Sequence, residues 1–159
     1  MSRLPALGPR GEGWFLLQVL LLSAIVVAGL QFGPDWSGTA RLAGGLAGGV
    51  LLVGGLLLGL KGILDLDRAI SPLPRPTRAG SLVQHGAYGR VRHPIYSGVI
   101  ASSVGFGLLL ASLPALLLCA ILALLLDLKA RREEIWLVER YAGYADYARR
   151  TKRFVPRLY

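Results

Sequence analysis

The chain has 159 residues, 53% of them hydrophobic and only 17% charged, with a net charge of +9. A soluble domain of this length needs more polar surface to cover itself, so the composition excludes an ordinary water-soluble fold and points to one membrane domain. The basic residues flank long apolar runs, which is the pattern of cytoplasmic loops beside membrane spans, so nucleic acid is not expected as a partner.

After a short segment carrying Arg3 and Arg10, residues 13–32 are almost wholly apolar. That matches the roughly 20 residues a helix needs to cross the hydrocarbon core. The run exceeds the apolar region of a cleavable leader, roughly 7–15 residues, and reads as a retained span despite the small pair Val26 and Ala28. A polar turn over residues 33–41, with Pro34, Asp35 and Gly38, leads to a second apolar run at 42–64. Its glycines include the pairs Gly44/Gly48, Gly45/Gly49 and Gly55/Gly59. Small residues four apart let membrane helices approach closely. The expected partner is the protein's own first span, and a homo-oligomer face is the alternative.

Residues 65–93 form the longest interruption, with Pro72, Pro74 and Pro76 excluding a regular helix and Arg68, Arg75, Arg78, Arg90 and Arg92 supplying charge. A connection between two spans needs fewer residues, so this one reads as functional. From Ile95 to Asp127 the chain is apolar for 33 residues, interrupted by Ser112-Leu113-Pro114. Proline favours a helix start over a helix interior, so two short antiparallel spans are expected, 94–111 and 114–130, with one bent helix as the alternative. Cys119 lies in this run and has no second cysteine to pair with. With two histidines it makes too small a ligand set for a zinc site, and no metal is expected.

Arg3, Arg10, the 65–93 loop and the segment after Asp127 carry most of the basic residues, while Arg41 stands alone on the other side. The charge bias predicts that both termini and the long loop are cytoplasmic. The expected architecture is an all-α integral membrane protein with about four transmembrane helices and a C-terminal helix at the cytoplasmic interface.

That last helix is expected over residues 131–150. At about 100° per residue, Tyr144, Leu137, Ala148, Tyr141, Ala145 and Val138 share one face, and Arg132, Glu139, Asp146 and Arg150 the opposite one. The pattern is that of an amphipathic helix on the bilayer surface or against the protein. Glu134 falls near the middle of the apolar face and Glu133 at its edge. A carboxylate there is costly without a partner. A salt bridge to one of the arginines is one reading, and service in a functional site is the other.

Two blocks carry most of the remaining chemistry. The first runs from Gly86 to Gly98 and contains Tyr88 and Arg92-His93-Pro94-Ile95-Tyr96-Ser97-Gly98. The second contains Glu133-Glu134, Tyr144, Tyr147 and Arg153-Phe154-Val155-Pro156. In this order they resemble the signature of the isoprenylcysteine carboxyl methyltransferase family, and phospholipid methyltransferases look similar in the same blocks. The resemblance implies S-adenosylmethionine as cofactor and a lipid-like or prenylated small acceptor, meeting at the cytoplasmic membrane boundary.

By the same resemblance Tyr88, His93, Pro94, Tyr96, Glu134, Tyr144 and Tyr147 are candidates for the cofactor. Arg92, Glu134, Arg153 and Arg157 are candidates for catalysis and the acceptor. A carboxyl acceptor needs no strong base, and an arginine can grip it with two parallel hydrogen bonds while positioning supplies the rate. An amine acceptor on a phospholipid is the alternative, with His93 or Glu134 taking the proton. Sterol-type membrane reductases that bind NADPH carry a similar Arg-His-Pro-x-Tyr-x-Gly stretch but look larger. A non-catalytic protein binding lipid or a partner is the third alternative, and it has no use for a buried glutamate. Ala87 stands where many relatives have proline.

Overall fold

The computed structural model describes residues 4–66 and 81–159, and among these there are helices and turns but no strand. Helix α1 covers Glu12–Gln31, α2 Gly38–Leu66, α3 Pro94–Leu109, α4 Leu113–Arg140 and α5 Tyr144–Arg150, with a short helical turn at Gly86–Gly89 ahead of α3. Of the expected loop, Arg68, Pro72, Pro74, Arg75, Pro76 and Arg78 lie outside the described residues. Helices α1, α2 and α4 are long and apolar enough to cross a membrane. α3 has 16 residues, about 24 Å of helix against roughly 30 Å of hydrocarbon. The chain is an all-α integral membrane protein.

Local chemistry fixes the helix ends. Pro94 opens α3, where its missing N–H costs nothing. At the start of α4 the Ser112 hydroxyl accepts from Ala115 N at 3.3 Å and donates to Ala28 O at the end of α1, also at 3.3 Å. Ala111, at φ 54°, reverses the chain between them. The long apolar run is therefore two helices and not one bent helix. α1, α3 and α4 enclose a core of Ile25, Ala28, Ala115, Cys119, Leu122 and Leu126.

Two elements depart from the sequence reading. The first is α4, which continues unbroken past residue 130 to Arg140. Residues 127–140 contain no glycine or proline and are rich in helix formers, so the helix has no reason to stop at the charge boundary. The break comes instead at Tyr141-Ala142-Gly143, and it resets the phase of the expected apolar face. Tyr144 and Tyr147 are buried, whereas Val138 and Ala145 on the same nominal face are exposed.

The second concerns the glycine-rich helix. α2 packs along α3 and not against the first span. Gly48, Gly55 and Gly62 recur every seven residues; the first two meet α3 backbone to backbone, and Gly62 meets the Pro94 and Ile95 side chains. A Cβ on Gly55 would lie 2.5 Å from Ser102 N, and one on Gly98 would lie 2.5 Å from Gly55 O. Gly45, Gly49, Gly54 and Gly59 have nothing within 4 Å. Lipid tails are as apolar as leucine, so this pair is held by close dispersion contact and not by burial from water. The antiparallel arrangement brings the end of α2, the start of α3 and the charged end of α4 to one end of the bundle.

Candidate active site

At that end the chain after α5 lies alongside the entry to α3. Val91 and Lys152 form an isolated parallel bridge; Arg92 N donates to Lys152 O at 2.7 Å and His93 N to Arg153 O at 3.1 Å. Ser97 Oγ donates to Phe154 O at 2.8 Å. Residues about 60 positions apart are thus registered against each other, and α4 supplies carboxylates between them.

Glu134 is the hub. Its side chain is 16% exposed and accepts from Arg92 Nε at 2.9 Å, from Arg153 Nε and Nη2 at 3.1 and 2.8 Å, and from His93 Nε2 at 3.2 Å. An ionised carboxylate can only accept, so Nε2 carries the proton. Arg92 continues through Nη1 to the carbonyls of Ala148, at 2.9 Å, and Thr151. Arg153 Nη1 donates to Asp127 Oδ1 and to the Tyr159 hydroxyl, both at 3.0 Å, and that hydroxyl donates to Asp127 at 3.0 Å. Arg131 donates to Asp127 at 2.7 Å and to Tyr159 at 2.9 Å. Hydrogen bonds to Glu134 hold the Arg153 guanidinium above the ordinary arginine range.

Beside this network lies an aromatic wall. The Tyr96 hydroxyl donates to Glu133 Oε2 at 2.8 Å, and the Tyr96 ring stacks on His93 with centroids 5.3 Å apart. His93 Nδ1 is 3.8 Å from the same Glu133 oxygen. Phe154 lies 5.9 Å from the His93 ring. The Tyr147 hydroxyl donates to Tyr88 O at 2.7 Å, and its ring meets Tyr144 edge-on at 5.8 Å. Burial pushes the Tyr88 and Tyr144 phenols well above the ordinary range. It takes the Tyr147 phenol up to about 12, against the pull of the Arg92 guanidinium. These three phenols stay protonated at neutral pH and can donate or line a wall, but cannot serve as bases.

The structure therefore brings together Tyr88, Arg92, His93, Pro94, Tyr96, Glu134, Tyr144, Tyr147 and Arg153. Arg157 is exposed in the turn that follows and takes no part in these contacts. Sequence reasoning missed Asp127, Tyr159, Asp65 and Lys129. Asp127/Arg131 and Lys129/Glu133 are spaced four residues apart on one helix face, a signal that was available. Asp65, at the end of α2, accepts from Ala87 N at 2.7 Å and so ties the Gly86–Gly89 turn to the bundle. A proline at position 87 has no N–H to make this bond.

The residue types suit S-adenosylmethionine. Its sulfonium calls for carboxylates and ring faces, its carboxylate for cationic donors, and its adenine for flat apolar walls. In the aromatic wall Tyr144 is 2% exposed, and its hydroxyl has no protein partner among the described residues. A buried polar group without a partner is costly, and a bound ligand or water can satisfy it. Among the described residues no group of three His, Cys, Asp or Glu could hold a metal ion.

A family model described as phospholipid methyltransferase matches residues 44–143. It spans the Arg92–Tyr96 block and Glu133-Glu134 and stops before Tyr144 and Arg153. The chain is 29% identical over 146 residues to the nickel-cobalt-cadmium resistance protein NccN of Alcaligenes xylosoxydans xylosoxydans, covering 91% of this chain and 63% of that protein. It is 35% identical over 79 residues to the cobalt-zinc-cadmium resistance protein CzcN of Cupriavidus metallidurans, covering 49% of this chain and 37% of that protein. The chain thus spans less than two thirds of the length of either relative.

Proposed function

The chain belongs to the phospholipid methyltransferase family, and from that premise we propose that it transfers a methyl group from S-adenosylmethionine to an amphiphilic acceptor drawn from the membrane. The observation that carries the reading is the convergence of Arg92, His93 and Arg153 on Glu134. It joins the two sequence blocks into one polar site where α4 leaves the apolar core. When bound, the cofactor supplies an electrophilic methyl on a sulfonium.

The protein's own residues then have distinct tasks. Glu133, with the Tyr96 and His93 rings beside it, offers negative charge and ring faces to a cation. Tyr88, Tyr144 and Tyr147 line a wall, and the Tyr144 hydroxyl stands ready to donate. Glu134 aligns Arg92, His93 and Arg153 and has little capacity left for a ligand. The tail from Thr151 to Phe154 closes one side and helps exclude water. Holding the acceptor in line with the methyl group is expected to supply much of the rate.

The acceptor we infer is an amine headgroup, whose nitrogen takes the methyl group and gives up its proton to the Glu133 carboxylate. Arg153, a candidate for gripping a carboxylate, spends all three nitrogens on Glu134, Asp127 and Tyr159, and Arg157 stands outside the site. Glu133 is bonded to Tyr96 and not to an arginine, and with the ring faces beside it this carboxylate suits a cationic or amine acceptor. The basic flanks support a cytoplasmic site with both termini on that side.

The test is a methyl-transfer assay with labelled S-adenosylmethionine and the protein in vesicles. Label on phosphatidylethanolamine is expected. Label on a prenylcysteine analogue instead would move the acceptor to a carboxyl group, and no transfer to any lipid would defeat the reading. The relatives' names add one setting: loss of this chain is expected to lower its host's tolerance of nickel, cobalt or cadmium. Unchanged growth on those metals would confine that role to the relatives.

A further inference from the structure

Lys129 is an ammonium buried inside the bundle. It is 1% exposed, on the part of α4 that faces α1 and α3, about one helical turn from Glu133 on the same side of the helix. Its Nζ donates to Gln18 Oε1 of α1 at 2.7 Å. It also lies 5.0 Å from the Tyr96 ring centroid and 6.0 Å from that of Phe15. Among the described residues Gln18 is its one hydrogen-bond partner, for a group that carries three protons. Methionine has nearly the same length and volume and needs no desolvation, so packing alone does not explain a lysine here. An ionisable side chain buried on a membrane-spanning helix calls for a functional account.

We propose that Lys129 is a positioning residue for the cofactor site, acting through Tyr96. The ammonium, itself held by Gln18 of α1, draws the negative ring face of Tyr96. The Tyr96 hydroxyl is bonded to Glu133, and the ring is stacked on His93. Tyr96 is thus held at three points, and Glu133 is presented beside His93 as a result. Gln18 fixes the ammonium, so α1 takes part in setting a site that otherwise belongs to α3, α4 and the tail. The proposal rests on the reading of that site as the binding place of S-adenosylmethionine.

The test is calorimetric titration with S-adenosylhomocysteine of the full chain in detergent, beside thermal melting. Lys129→Met is expected to melt at or above the wild type while binding roughly tenfold more weakly. In a Glu133→Gln background the same change is expected to cost nothing further, because both act through one contact chain. Wild-type affinity in Lys129→Met, or losses that multiply in the double variant, would overturn the proposal. Should Lys129→Met not fold, Gln18→Leu decides: weaker binding at unchanged melting supports the proposal, and unchanged binding overturns it. A wild type that binds no S-adenosylhomocysteine defeats the cofactor reading itself, and the role of Lys129 falls with it.

Discussion

Glu134 and Tyr144 are opposite cases of one rule about buried polar groups. Glu134 has its acceptor capacity filled by two guanidiniums and a histidine, so removing its charge strands the partners. Glu134→Gln is expected to destabilise the protein by roughly 3 kcal/mol, because cations left buried without a counter-charge keep their desolvation cost. Thermal melting in detergent checks this, and an unchanged transition would show that solvent already screens the cluster. Tyr144 holds a hydroxyl with no partner among the described residues. Tyr144→Phe removes nothing the ligand-free fold uses, so its melting should be unchanged or slightly higher. Affinity for S-adenosylhomocysteine should drop about tenfold, the worth of one hydrogen bond in a dry site. Equal affinity would remove Tyr144 from the pocket. Arg157→Ala, at an exposed position, should change neither quantity.

The helices show how far periodicity carries and where it fails. The apolar runs made α1, α2, α3 and the first part of α4 legible, and the prolines at 94 and 114 marked two of their starts. The extension of α4 to Arg140 was not legible, because a shift from apolar to charged residues reads as the end of a span although helix propensity continues through it. Glu134 drew notice because a carboxylate on an apolar face needs an explanation. Tyr159 drew none, since its partners come from segments distant in sequence, and Asp127 offered only its spacing of four from Arg131, its contacts with Arg153 and Tyr159 being distant. The glycines of α2 announced a close helix contact, but nothing in one sequence says which helix answers. α3 answers because Gly98 and Gly105 repeat at the same interval of seven. Gly55→Leu should therefore disrupt the pair, costing about 3 kcal/mol or the fold itself through overpacking. Gly49→Leu, with open space before it, should be neutral within about 0.5 kcal/mol. Equal effects of the two substitutions on melting would contradict the assigned interface.

At the scale of the whole molecule, the apolar faces turned outward and the charges gathered at one end belong together. Leu42, Leu46, Val50 and Leu64 of α2, with Leu16, Leu20 and Leu30 of α1, point outward, as lipid-facing residues do. Asp65, Arg92, Asp127, Glu134 and Arg153 cluster where α2 ends, α3 begins and α4 leaves the core. A soluble cofactor and a bilayer-borne acceptor can meet at such a boundary without either crossing the membrane. Sidedness has its own test. With Cys119 replaced by serine, a cysteine at Val155 should resist a membrane-impermeant thiol reagent in intact cells, and a cysteine at Ser37 should react. The reverse pattern would invert the orientation.

The central claim is that the cluster around Glu134 is a site for S-adenosylmethionine, and one titration tests it most directly. Purified protein in detergent is titrated with S-adenosylhomocysteine and, separately, with NADPH, for the wild type and Glu134→Gln. The account predicts saturable binding of S-adenosylhomocysteine alone, weakened in Glu134→Gln as the arginines and His93 lose their alignment. Folded protein that binds NADPH, or neither ligand, would contradict it.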